Sequence, residues 1–208
     1  MARHRKNPVE KHDRHAPPER QTAALRIIGG ELGGRKLLYI GHLRTRPMKD
    51  RVREAVFNLL GSDVTGKHAV DLFAGTGALG LEAISRGAVR ATFVEQHFPT
   101  ARILRQNAAL LSVADRCKVD SANVFSWVEH EPIDGAEPWL VFCSPPYAYF
   151  VERQADVLAL LGKLVERAPA QSVFVVESDA RFDTGLLPAL PHWDVRQYLP
   201  AVVAIGRK

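Results

Sequence analysis

Ser144, Pro145, Pro146 and Tyr147 follow directly on an unbroken apolar run, Trp139, Leu140, Val141, Phe142 and Cys143. Such a run reads as a strand covered on both faces of a sheet. Proline fixes φ and lacks an N–H, and Pro146 also restricts the residue before it, so the stretch is a rigid, extended turn at a strand's carboxyl end. Open α/β sheets bind ligands at that edge. The turn would hold a hydroxyl, carbonyl groups that no ladder N–H claims and an aromatic face in fixed relative positions, a set suited to gripping something flat and polar. Taken alone, the same residues also fit an ordinary strand-ending turn.

A second constellation lies at 71 to 80, DLFAGTGALG. It reads as a strand passing through a Gly-rich turn into a helix, where Gly75 and Gly77 let the backbone turn tightly and approach a ligand beside the helix N–H groups. With Gly80 it is formally GxGxxG, a weak dinucleotide signal on its own. Asp71 adds information, because a carboxylate just before the turn repels a pyrophosphate but suits a ligand with an ammonium group. S-adenosylmethionine is such a ligand. Glu95 ends the next strand, ATFVE, and an acid there can accept both ribose hydroxyls in either a nicotinamide or an adenosylmethionine site. Asn123 could meet an adenine amino group through its side-chain oxygen, or simply serve a turn.

These residues need elements to carry them. From residue 66 the chain alternates strands and helices: HAVDLFA, GALGLEAISRGA, ATFVEQ, PTARILRQNAALLSV, CKVDSAN, VFSWVEH, WLVFCS, a helix over 151–167, and SVFVVESD. That rhythm predicts a parallel sheet with helices on both sides. WDVRQYL and AVVAIGRK, separated by little more than Pro200, predict a closing antiparallel hairpin and a mixed sheet. Upstream, LRIIGGELGGRKLLYI reads as a β-hairpin. In the stretch after it, Val52, Val56, Leu59 and Leu60 recur at helical spacing and Gly61 is a stop. We therefore divide the chain into a basic, disordered tail at 1–24, a hairpin and helix extension at 25–61, and a main domain at 62–208.

The charge is segregated. Residues 1–53 carry 14 Lys and Arg against 5 Asp and Glu, a net of +9, while the whole chain is +5, so the remainder sums to −4. A basic front on a mildly acidic body suits a polyanionic partner, and Arg26, Arg35, Lys36, Arg46, Arg51 and Arg53 are the candidate contacts. Cys117 and Cys143 show no metal or disulfide spacing, and the chain offers no signal-peptide core or membrane-length apolar run. The expectation is a soluble, cytoplasmic, monomeric protein without metal or membrane partners. Cys143 is strand core rather than a nucleophile.

Taken in order, LRIIGGELGGRKL, RPMKDRVREAVFNLL, DLFAGTGALGLEAISRGA and SPPY resemble the RsmD family of class I methyltransferases, from about Leu25 to the C-terminus. The resemblance implies an α/β, Rossmann-like fold: a mainly parallel mixed sheet with helices on both faces, a C-terminal antiparallel hairpin and a small N-terminal β-hairpin. It also implies methyl transfer from S-adenosylmethionine to the exocyclic N2 of a guanine in small-subunit ribosomal RNA, free or within a ribonucleoprotein particle. By resemblance, Asp71, Ala74, Gly75 and Gly77 line the methionine side of the cofactor, Glu95 takes its ribose, Asn123 lies by its adenine, and 144–147 hold the target base.

Two departures stand out. Ser144 replaces the family's usual Asp, and Met48 and Lys49 replace Thr residues. If Ser144 Oγ and the Pro145 carbonyl accept the two amino N–H bonds, they favour a pyramidal nitrogen whose lone pair faces the methyl donor, while Tyr147 stacks on an unpaired base. On that reading Ser144→Asp preserves or raises transfer. SPPY also occurs in cytosine-N4 DNA methyltransferases, which keeps a DNA amino-methyltransferase open. A non-catalytic, RNA-binding ribosome assembly factor is the alternative from another class, and a nicotinamide oxidoreductase would leave Asp71 and SPPY unexplained.

Overall fold

The computed structural model describes residues 25–39, 48–130, 133 and 135–208. The basic tail and Arg46 lie outside these residues. Seven strands form one sheet: β1 (His68–Asp71), β2 (Arg90–Val94), β3 (Cys117–Asp120), β4 (Trp139–Cys143), β5 (Val173–Asp179), β6 (Trp193–Tyr198) and β7 (Ala201–Arg207). Their order is β3-β2-β1-β4-β5-β7-β6. The first five are parallel, and β7 inserts antiparallel between β5 and β6. The expected mixed sheet with a closing hairpin is therefore the observed one.

Among the described residues six α-helices accompany it: α1 (Asp50–Leu60), α2 (Ala78–Ser85), α3 (Phe98–Leu110), α4 (Val124–His130), α5 (Tyr149–Glu152) and α6 (Gln154–Arg167). Along β4 the side chains alternate between two cores. Leu140 and Phe142 join α1, α2 and α3 on one face; Trp139, Val141 and Cys143 join α4, α5 and α6 on the other. Burial on both faces is why the run shows no polar alternation. At the edge of the sheet β6 does alternate with charge, through exposed Arg196 and half-buried Asp194, which suits a strand with one unpaired side.

The N-terminal hairpin is reduced to one antiparallel bridge, Arg26 to Lys36. Its turn docks instead of extending a ladder. Glu31 N donates to the Ser85 carbonyl at 2.8 Å, and Leu32 N donates to Ser85 Oγ at 2.9 Å. Gly30 has φ +76°, and a Cβ there would lie 1.9 Å from the Ser85 oxygen, so a side chain is excluded both by conformation and by space.

Buried Glu82 on α2 completes the joint. Its carboxylate accepts from Ile28 N at 2.7 Å, Gly29 N at 2.8 Å and Arg86 Nε at 2.8 Å, and Arg53 Nε lies 3.8 Å away. This corrects the expectation for Arg53, which is wholly buried and donates to the Met48 and Arg26 carbonyls and to Asp50. Arg53 shares the i, i+3, i+4, i+7 stripe of Val56, Phe57 and Leu60, so the helix turns it inward. It is a structural cation, not an RNA contact.

Candidate active site

The sheet order reverses direction between β1 and β4, and the carboxyl ends of those strands open onto a cleft of about 690 Å³. A crevice at such a switch point is where a doubly wound sheet binds its ligand. Asp71, Ala74, Gly75, Glu95 and Asn123 line it, and so do Ser144 through Tyr147. The structure thus brings together residues chosen from four separate stretches of sequence. Gly77 does not line the cleft; its φ of +87° makes the turn, and a Cβ would press on Leu104 at 2.9 Å.

Asp71 ends β1 and is 1% exposed. Its Oδ2 accepts from Gly80 N at 3.2 Å. Burial pushes its pKa up to about 7, with the nearby Glu95 charge acting in the same direction and backbone N–H groups opposing it. A carboxylate held that far from its ordinary range is poised to gain from an incoming cation.

Glu95 is also buried. Its Oε2 accepts from Gly75 N at 2.8 Å and its Oε1 from His97 N at 2.7 Å. Each carboxylate oxygen has a second lone pair, so a vicinal diol could still be accepted by both. The Asn123 oxygen caps α4, accepting from Phe125 N at 3.0 Å, and also retains a lone pair. A buried anion for an ammonium, a second for a diol and a Gly turn between them fit S-adenosylmethionine.

On the other side of the cleft, Pro145 is buried, Ser144 and Tyr147 are half-buried and Pro146 is exposed. Cys143 is 1% exposed, and burial raises its thiol pKa well above the ordinary range, as suits strand core. Sequence reasoning missed Glu177, near the end of β5. It is 6% exposed, lines the cleft, and accepts Ser144 Oγ–H on Oε2 and the Tyr147 hydroxyl on Oε1, the latter at 2.8 Å. Its signal was available, since a lone acid at the ligand edge of a parallel strand is the feature that singled out Asp71 and Glu95. Tyr198, Pro200 and Ala201 from the β6–β7 turn also reach the cleft, from an element whose position the sequence did not indicate.

Met48 and Lys49, at the start of α1, line the same cleft. Met48 is 8% exposed and contributes an apolar wall where a hydroxyl was the family expectation. Of the candidate RNA contacts, Arg26, Arg35, Lys36 and Arg51 are exposed. Arg26 pairs with Asp50 at 3.3 Å. Arg35 braces the hairpin by donating to the Leu110 and Leu111 carbonyls at the end of α3. Among the described residues no group of acids, histidines and cysteines could hold a metal ion, and no helix is long and apolar enough to cross a membrane.

Residues 25–195 match the family described as "Conserved hypothetical protein 95". The chain is 34% identical over 182 residues to the ribosomal RNA small subunit methyltransferase D of Escherichia coli K12, covering 87% of each. Among solved structures, a putative methyltransferase, yhhF, from E. coli superposes with a TM-score of 0.69 at 30% identity, covering 89% of this chain and 98% of that one. The fold also superposes, with a TM-score of 0.67 at 20% identity, on the Thermus thermophilus 16S rRNA N2 G1207 methyltransferase RsmC solved with AdoMet and guanosine, covering 89% of this chain and 49% of that one. The chain belongs to the conserved hypothetical protein 95 family, that of the RsmD methyltransferases.

Proposed function

We propose that this protein transfers a methyl group from S-adenosylmethionine to the exocyclic N2 of a guanine in small-subunit ribosomal RNA. One observation carries the reading. The buried acids at the ends of β1 and β2 and the Ser-Pro-Pro-Tyr turn at the end of β4 line a single cleft, so a cofactor and an amino group would meet there. Membership of a family whose E. coli relative is named a ribosomal RNA small subunit methyltransferase supports RNA as the polymer, and the basic amino-terminal quarter of the chain supports a polyanion.

Each residue has a part. Asp71 meets the ammonium group of the cofactor, Glu95 its ribose and Asn123 its adenine. When bound, S-adenosylmethionine supplies an electrophilic methyl group on a sulfonium, open to in-line displacement by an amine. Ser144 Oγ and the Pro145 carbonyl accept the two N–H bonds of the target and orient its lone pair. Tyr147 stacks on the base, which must leave its helix to reach the cleft. Arg26, Lys36 and Arg51 are available to phosphates.

The test is methyl transfer from labelled S-adenosylmethionine to small subunits, to naked RNA and to DNA from cells lacking this protein, followed by nucleoside analysis. N2-methylguanosine in the small-subunit RNA is the expected product. Label only in DNA, or none in either polymer despite cofactor binding, overturns the reading.

A further inference from the structure

Resting on that reading, we infer that Glu177 is the positioning residue for methyl transfer: it turns the Ser144 hydroxyl into an acceptor for the target amino group and sets the plane of Tyr147. The sheet register brings the two residues side by side. Cys143 pairs with Val176 in the parallel ladder, so Ser144 and Glu177 are the next step along. Side chains two apart share a face, which places both on the side of Phe142 and Val175. The backbone of Glu177 is fixed from the other side by antiparallel pairing with Val203 of β7.

The hydrogen bonds decide the polarity of the turn. A serine hydroxyl has one proton and two lone pairs, whereas an ionised carboxylate only accepts. Ser144 gives its proton to Glu177 Oε2, so only lone pairs remain for the cleft. A hydroxyl polarised by a carboxylate is a stronger acceptor than a free one. The Ser144–Glu177 unit thereby presents a polarised acceptor to the cleft, with the charge one hydrogen bond further back. Tyr147 donates to the other oxygen at 2.8 Å, which fixes the ring that would stack on the base. No described Lys or Arg forms an ion pair with Glu177, so hydroxyls are the groups that meet this buried charge among the described residues.

The arrangement reverses the expectation for Ser144→Asp. A carboxylate at 144 would face Glu177 at hydrogen-bonding distance, and two such groups cannot both be ionised cheaply. The experiment compares wild type, Glu177→Gln, Ser144→Asp and Ser144→Asp/Glu177→Gln, each shown to be folded by its melting transition. Turnover is measured at saturating small subunits, and S-adenosylmethionine affinity by calorimetry. In Glu177→Gln the carboxamide must donate to one of the hydroxyls, so kcat falls about ten-fold or more while cofactor Kd and KM for RNA stay within about two-fold. Ser144→Asp loses a similar factor, and the double variant, in which the carboxamide donates to the new carboxylate, regains about ten-fold over Ser144→Asp. Wild-type kcat in Glu177→Gln, or a double variant no better than Ser144→Asp, overturns the inference. The wild-type product is scored separately, so an absence of N2-methylguanosine condemns the proposed function and not the role of Glu177.

Discussion

Glu82 and Glu177 are both buried carboxylates, 0% and 6% exposed, yet their surroundings differ in kind. Glu82 takes two backbone N–H groups and Arg86, with Arg53 close by, and no part of it opens on the cleft. Glu177 takes two hydroxyls and lines the cleft. Full compensation by cations and amides makes a carboxylate a joint: Glu82 ties the N-terminal hairpin and α1 to α2. Compensation by hydroxyls alone leaves a field that reaches outward, because those hydroxyls pass the polarity on to whatever they face. The same side chain serves stability in one region and chemistry in the other.

The largest effect that would break the comparison is in Glu82→Ala. The substitution takes the carboxylate from Arg86, leaves the Ile28 and Gly29 amide donors unsatisfied, and leaves Asp50 as the acid that meets the Arg53 guanidinium, for which burial already disfavours the charged form. Removing one partner of a buried ion pair costs about 3–5 kcal/mol. Denaturant unfolding should show a loss of that order, with kcat per folded molecule within about two-fold of wild type. A stable Glu82→Ala protein with impaired turnover would mean that Glu82 belongs with Glu177.

Asp71 sharpens the comparison from the cofactor side, as a third buried acid, which lines the same cleft as Glu177. Asp71→Asn should weaken S-adenosylmethionine binding by about 10- to 100-fold, the equivalent of a charge-assisted hydrogen bond of about 1.5–3 kcal/mol. The wild-type pH dependence follows from the raised pKa of about 7. Below that value Asp71 carries a proton that an ammonium ligand must displace, so affinity falls by up to about ten-fold per pH unit, or about 1.4 kcal/mol. Above it, the affinity is flat with respect to this group. Calorimetry from pH 5.5 to about 8.5 should show that slope in wild type and its loss in Asp71→Asn; an opposite slope would remove Asp71 from the ammonium site.

What the sequence disclosed and what it hid follow the same division. The parallel half of the sheet was legible because buried strands read as apolar runs, as in Trp139 to Cys143, and the Gly turn after Asp71 has a local signature. The candidate site residues that sit in short motifs, Gly77 apart, line one cleft. Glu177 carried the local cue of an acid at a strand's ligand edge, but its pairing with Ser144 comes from a register with β4, across 33 residues of chain, which no local pattern encodes. Arg53 was misjudged because its charge outweighed its place on the Val56, Phe57 and Leu60 stripe. The hairpin predicted from its glycines is present as the Arg26–Lys36 bridge, and Gly30 in addition lets its turn dock on Ser85, a contact that no local pattern announces.

The smallest effect expected, and the finest test, comes from removing one donor from each glutamate. Tyr147→Phe keeps the ring that would stack on the base but deletes the hydroxyl bonded to Glu177. Water in the cleft can replace part of that bond, so the net cost falls to about 0.5–1.5 kcal/mol, or about 2- to 10-fold in kcat, with KM for RNA little changed. Tyr147→Ala should lose in addition the stacking term of about 1–3 kcal/mol. Arg86→Met is the matched change at Glu82. It removes the 2.8 Å bond to the carboxylate and the guanidinium 5.1 Å from the Phe57 ring centroid, and it should lower stability by about 1–3 kcal/mol without touching kcat. The two variants separate the regions cleanly only if their effects do not cross over. A melting shift in Tyr147→Phe as large as that in Arg86→Met, with turnover intact in both, would make Glu177 a second structural joint and leave the Pro145 carbonyl and the Tyr147 ring to orient the amine.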